Sequence, residues 1–270
     1  MNVHVPYYVE RTITGISDIY LRLAPRRRPT RRALEDCKIV SHRGEHDNRR
    51  VRENTMAAFN KVAEAGCWGI EFDLRWTRDL EPVVVHDTNA QRVFGVDLEI
   101  AETELQELRQ RIPEIPTLRE VVETFGRRQH LMIELKSDAQ GEFAWRAQRL
   151  REILDGLRAG EDYHFIALQL DLFEMVEFAG CCACVPVAEL NIGEFSDAAL
   201  ARGFDGVCAQ YLVLGNSRIR SHHRQGQKLG TGFASSRYCL YRELNRGVDW
   251  IFSNHALKLE AIRRELLQRY

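Results

Sequence analysis

From residue 38 onward, short apolar and β-branched runs alternate with segments whose apolar residues recur at a spacing of three and four, the pattern of strands alternating with amphipathic helices. The runs predict strands over 38–42, 69–74, 131–135, 165–169, 184–188, 206–209, 229–233 and 250–253. Between them, Met56, Phe59 and Val62 share one side of a helix over 55–65. Thr117 and Glu120 have capping-box spacing ahead of Val121, Val122 and Phe125. Phe143, Ala147, Leu150, Leu154 and Leu157 mark a further helix, and Ser236 opens one that closes at Gly247. The apolar run 82–86 breaks the alternation. Too few residues separate it from Leu74 for a parallel crossover, which needs a dozen or so, so it is a hairpin arm beside the second strand. Eight β-α units in about 230 residues predict an α/β chain folded as a (β/α)8 TIM barrel, with its site at the C-terminal ends of the strands.

Ahead of the barrel the pattern differs. Ile13, Ile16, Ile19, Tyr20 and Leu23 fall on one helical face, with Arg11, Asp18 and Arg22 off it, and residues 22–32 hold six arginines and no acid. Residues 1–36 thus form an amphipathic, basic, helical N-terminal extension to a domain over 37–270. Such an arm suits a peripheral contact with anionic membrane, packing over the domain, or contact with a second subunit in a homo-oligomer. No nucleic-acid partner is expected. With 270 residues, 44% of them hydrophobic, the chain can bury a core without disulfides. Its seven cysteines, three of them (Cys181, Cys182, Cys184) in an apolar run, read as reduced thiols. No apolar stretch reaches the roughly 18–20 residues of a spanning helix, and the first residues lack the apolar core of a secretory signal. A cytoplasmic location is expected, with membrane association through the arm as an addition.

The polar residues at strand ends carry the candidate chemistry. The first strand ends Ser41-His42-Arg43-Gly44. In Glu71-Phe72-Asp73 strand alternation aims both carboxylates at the barrel interior, and Glu134-Leu135-Lys136 adds two charged groups on one face. Neighbouring buried carboxylates repel, so something must compensate them. Glu71, Asp73 and Glu134 offer three hard oxygen donors, which suits Mg²⁺ or Ca²⁺ better than zinc. The competing account is an internal salt-bridge network in which Arg43 and Lys136 neutralise the acids. His42 and His86 near the same mouth suit a pair of proton transfers, and Arg43 and Lys136 supply positive charge for a phosphate. Together they describe metal-assisted phosphodiester cleavage.

These residues fall in an ordered set: H-R-G (42–44), E-N-T-x-x-A-F (53–59), G-x-x-x-x-E-x-D (66–73), T-R-D (77–79), P-V-V-V-H-D (82–87), P-T-L-R-E-V (116–121) and E-L-K (134–136). In this order the chain resembles the glycerophosphodiester phosphodiesterase family over about a hundred residues. The resemblance implies a TIM barrel that hydrolyses glycerophosphodiesters to glycerol phosphate and an alcohol. It implies Glu71, Asp73 and Glu134 as ligands of one divalent cation, His42 and His86 as acid and base, and the substrate's own glycerol hydroxyl as a candidate attacking group. Glu53 and Asn54 match the family's E-N pair near the site, although Asn54 would serve equally as a cap for the helix that follows.

Three departures stand beside the match. Arg52 replaces a proline, residues 45–52 insert extra charge next to His42, and the substrate half is altered. There T-G-F-A-S-S (231–236) offers Phe233 where the family carries a tryptophan, and the last strand ends S-N rather than T-D. A lysophospholipase D acting at membranes, taking a lysolipid as substrate, and a non-catalytic metal- and phosphate-binding barrel are the alternatives. The metal-independent phosphatidylinositol phospholipase C group fits less well because of the three carboxylates. An amidohydrolase is disfavoured because the first strand lacks an H-x-H pair.

Overall fold

A computed structural model of the chain describes residues 20, 26–137 and 143–270. The strands are β1 (Lys38–His42), β2 (Gly69–Trp76), β3 (Pro82–Val84), β4 (His130–Leu135), β5 (Tyr163–Ala167), β6 (Cys184–Ala188), β7 (Gly206–Gln210), β8 (Lys228–Gly232) and β9 (Trp250–Ser253). They pair in the order β1-β9-β8-β7-β6-β5-β4-β2-β3, and a further β1–β2 pairing closes the eight parallel strands into a barrel. β3 is the expected hairpin arm, antiparallel to β2 with Leu74 opposite Val84 and Trp76 opposite Pro82. The helices are α1 (Arg31–Glu35), α2 (Met56–Ala65), α3 (Gln91–Phe94), α4 (Leu105–Arg111), α5 (Leu118–Phe125), α6 (Phe143–Ile153), α7 (Ile192–Arg202), α8 (Asn216–Arg224), α9 (Arg237–Arg246) and α10 (Ala256–Leu267). The Thr117–Glu120 capping box forms at α5, and Ser236 and Gly247 bound α9 as their spacing predicts.

Three strands begin earlier than their apolar runs, β4 by one residue at His130. β5 starts at Tyr163 and leaves 168–169 outside, and β8 starts at Lys228. The cause is polar chemistry at the barrel floor. His164 points inward with Nε2 2.9 Å from Asp205 Oδ2 and Nδ1 2.7 Å from His130 Nε2, while Lys228 Nζ reaches the same Asp205 oxygen at 2.6 Å. Satisfied by one another, these residues sit in strand positions that a hydrophobic pattern marks as breaks. Between β5 and β6 the crossover consists of 3₁₀ turns, Leu170–Ala179 and Cys181–Ala183, rather than a regular helix.

Above the floor the interior is plugged by Val40, Met132, Ile166, Val185, Cys208, Trp250 and Phe252. The main core lies between strands and helices, and a separate cluster of Val83, Val85, Phe94, Leu108 and Ile115 supports the hairpin insertion. The expected arm helix on Ile13, Ile16, Ile19 and Leu23 lies outside the described residues. Residues from Arg26 on are stitched to the barrel: Leu34 is fully buried, Arg28 donates to Leu266 O at 3.0 Å, and Asn245 donates to Arg27 O at 2.7 Å. Those partners are the C-terminal ends of α10 and α9, so this part of the extension lies at the floor end, opposite the mouth. Among the described residues, no helix is long and apolar enough to cross a membrane.

Among the described residues, the tightest backbone approach is at Gly206, where an added Cβ would stand 1.9 Å from Lys228 O. Gly206→Ala should therefore force β7 from β8 and destabilise the barrel by about 1–3 kcal/mol or more. Urea unfolding checks this: a midpoint equal to that of the parent chain would contradict it.

Candidate active site

The register of β2 against β4 places Asp73 opposite Glu134, and that of β1 against β2 places His42 opposite Glu71. Glu71, Asp73 and Glu134 are all buried, and one carboxylate oxygen from each lies within 4.8 Å of the others. Two cations answer them. Lys136 Nζ contacts Asp73 Oδ1 at 2.7 Å and also pairs with Glu134, and Arg43 Nε lies 3.1 Å from Asp73 Oδ2. The salt-bridge network considered from sequence thus exists, but it leaves three carboxylates facing two cations. Among the described residues, Glu71 Oε1 has no hydrogen-bond partner.

The electrostatics follow from this count. Burial, reinforced by Asp73 and Glu134, raises the Glu71 carboxyl well above the ordinary range. Glu134 is raised too, chiefly by burial and against the pull of Lys136. Asp73 goes the other way: burial opposes its charge, yet Lys136 and Arg43 together hold it well below the usual carboxylate range. A buried acid that is orphaned on one oxygen beside an ionised neighbour is what a site for a hard cation presents when metal-free.

The H-R-G turn is built for this position. Arg43 adopts φ 57° and its backbone N–H donates to Glu71 O at 2.9 Å and Glu71 Oε2 at 3.0 Å. Gly44 follows at φ 77°, where a Cβ would come within 2.7 Å of Ala58 Cβ, so the turn requires glycine. Asn54, also at positive φ, donates from Nδ2 to Asp73 Oδ2 at 2.8 Å. It does not cap α2; Thr55 does, accepting from Ala58 N, and this leaves the Asn54 amide for the site. Glu53 is buried and ion-paired to Arg43 at 3.1 Å and Arg92 at 2.6 Å; burial opposes its charge, but Arg92, Arg43 and Asn48 bring its pKa down to about 2. Arg52 stays clear of the site, paired with Glu114 and lying over the Phe94 ring.

Both histidines reach the mouth. His42 Nε2 is 3.8 Å from Glu71 Oε2, and its Nδ1 is 2.6 Å from Asn254 Oδ1 at the end of β9. Phe233 packs on the His42 ring at a centroid distance of 4.7 Å. Burial first, then Arg43, pushes the His42 pKa down to about 3. His86 sits across the mouth with Nδ1 2.7 Å from Asp87 Oδ1, and burial lowers its pKa against the pull of Asp73 and Asp87. Sequence reasoning had not singled out Asp87, Arg92 or Asn254. Asp87 adjoins His86 and Asn254 is the altered strand end, so both carried a local signal; Arg92 carried none. The opposite half of the mouth carries exposed leucines: Leu168, Leu190 and Leu212 stand just past β5, β6 and β7, and a Cβ on Gly232 would meet nothing within 4 Å.

Residues 42–162 match the model of the glycerophosphoryl diester phosphodiesterase family. Over that segment, which is less than half of its length, the chain is similar to this family. It is 36% identical over 111 residues to a glycerophosphodiester phosphodiesterase of Caldanaerobacter subterraneus, a match covering 37% of this chain and 45% of that protein. It is 39% identical over 71 residues to human lysophospholipase D GDPD1, covering 26% of this chain and 22% of that one. These matches span less than half of each curated relative. By structure it is similar to glycerophosphodiester phosphodiesterase from Thermotoga maritima, with TM-score 0.71, 25% identity, and coverage of 84% of this chain and 98% of that chain. A phosphodiesterase from Oleispira antarctica, solved with its product sn-glycerol-3-phosphate, shares the fold at TM-score 0.72 and 20% identity, covering 85% and 98%.

The raised Glu71 carboxyl has a consequence for metal-free stability. A carboxyl raised in the folded state contributes stability that is fully present below its ordinary value of 4.5 and is lost as pH rises through the folded value. Glu71→Gln should remove that loss, so the variant gains on the parent as pH rises toward neutrality. Urea unfolding in chelator from acid to neutral pH tests this; parallel pH profiles would contradict it.

Proposed function

We propose that this chain hydrolyses glycerophosphodiesters to glycerol phosphate and an alcohol, with a divalent cation as cofactor. The observation that carries the reading is the convergence of three buried carboxylates and two histidines on one barrel mouth, within the segment that matches the family. Glu71, Asp73 and Glu134 would hold the ion. Their hard oxygen donors, the excess of carboxylates over cations and the unpartnered Glu71 oxygen fit Mg²⁺ or Ca²⁺. When bound, such an ion supplies positive charge to a phosphate oxygen.

The remaining chemistry belongs to side chains. His42, kept neutral by burial and held at Nδ1 by Asn254, is in the form that accepts a proton from the attacking hydroxyl. His86, backed by the Asp87 carboxylate that favours its charged form, returns a proton to the leaving alcohol oxygen. Arg43 and Lys136 place two positive charges beside the same carboxylates and would share them with the phosphate. A panel of glycerophosphodiesters with Mg²⁺, Ca²⁺ or chelator tests the reading. Turnover should vanish in chelator, and His42→Ala and His86→Ala should each lower kcat by about 10²–10⁴. Full activity in chelator, or near-normal kcat in both variants, would overturn it, and no turnover of any diester would leave a binding barrel.

A second reading, lysolipid hydrolysis, is favoured by the apolar rim of Leu168, Leu190 and Leu212, where an acyl chain would lie. The described part of the extension is at the opposite end of the barrel, so membrane contact through the arm is a separate proposal, supported by its arginine content alone. Leu168→Ser with Leu190→Ser should raise KM for lysophosphatidylcholine about tenfold, the loss of part of one leucine contact, and leave glycerophosphocholine unaffected. Equal effects on both substrates would remove the acyl-chain role.

A further inference from the structure

We infer that Arg92 is a positioning residue for His86, acting through Asp87; the inference rests on the role proposed above for His86. Arg92 lies on α3 in the insertion between β3 and β4, outside every motif that marks the site. Its Nε is 2.5 Å from Asp87 Oδ2, and the other oxygen of that carboxylate is the one facing His86 Nδ1 at 2.7 Å. The far edge of the guanidinium closes on Glu53, NH2 to Oε1 at 2.6 Å and NH1 to Oε2 at 3.3 Å. Glu53 is anchored in turn by Arg43 NH1 at 3.1 Å and by its own N–H on Asn48 Oδ1 at 2.8 Å.

A chain of charge-assisted bonds therefore runs from the buried loop beside His42 to the imidazole of His86. Both oxygens of Asp87 are committed, so the carboxylate cannot turn away from Nδ1 without breaking its bond to Arg92. A hydrogen bond held at Nδ1 leaves Nε2 as the nitrogen that exchanges the proton. The backbone is fixed as well: Arg75 Nε donates to His86 O at 2.6 Å. With the Arg92 side chain 49% exposed, solvent screens its charge, so its contribution is geometric rather than Coulombic. The planar fork can face two carboxylates at once, which a single ammonium cannot do in the same directions.

The test is a double-mutant cycle on the full chain with a diester that the parent hydrolyses. Arg92→Met should lower kcat about 10- to 100-fold, the size of losing a group that orients an acting side chain, with KM within about twofold. Asp87→Asn should cost at least as much, and the double variant should fall no further than Asp87→Asn alone, since both remove one device. Arg92→Lys should recover little. A rise in KM at unchanged kcat would make Arg92 a binder of the substrate anion, and losses that multiply in the double variant would make it a scaffold for the insertion; either overturns the inference. A measurement independent of turnover separates this from the proposed activity. The Nδ1 proton resonance of His86, assigned through His86→Gln, should broaden or shift in Arg92→Met, and an unchanged resonance would overturn the inference even if no diester were hydrolysed.

Discussion

Mutual repulsion of the carboxylates on β2 and β4 is the constraint around which the mouth is organised. Strand alternation aims Glu71 and Asp73 the same way, and the parallel register sets Glu134 directly beside Asp73. Three buried negative charges in this space would cost far more than the barrel's marginal stability permits. Three neighbouring residues answer them. Arg43 turns to positive φ and aims its N–H at Glu71, Asn54 does likewise and aims its amide at Asp73, and Lys136 bridges Asp73 and Glu134. Strained backbone held by its surroundings is typical of functional sites, and here the strain has identifiable partners.

The same mouth is divided by chemistry. β1, β2 and β4 present His42, the three carboxylates and Lys136, whereas beyond β5, β6 and β7 the rim carries leucines. Phe233 meets the charged half at the His42 ring. A phosphodiester is itself divided, with a charged phosphate and two substituents, so in the proposed reaction the charged half would meet the phosphate and the apolar half a substituent. His42 and His86 also differ in what holds them, a neutral amide on one side and a carboxylate on the other, and the proposed division of the two proton transfers rests on this asymmetry.

Much of the frame was legible because it obeys local rules. The alternation of runs, the short span before Pro82 and the Thr117–Glu120 spacing each map to one interaction a few residues away. His42, Glu71, Asp73 and Glu134 were legible because charged residues at inward strand positions contradict the hydrophobic pattern around them. What escaped depends on pairings across the chain. His164 looks like a break until Asp205 and His130 close on it. Arg92 looks like any exposed arginine until the fold brings Glu53, 39 positions away, to its guanidinium. Asn54 reads equally as a helix cap, and the choice turns on Thr55 taking that duty.

The proposed chemistry needs a cation between Glu71, Asp73 and Glu134, and anomalous diffraction from crystals of the full chain soaked in Mn²⁺ tests for it most directly. A single strong anomalous peak within bonding distance of all three carboxylates, with Lys136 drawn off Asp73 or Glu134, is the predicted result. An absence of anomalous signal at millimolar Mn²⁺, with Lys136 still bridging the two acids, would show that the protein's own cations suffice and would contradict the account.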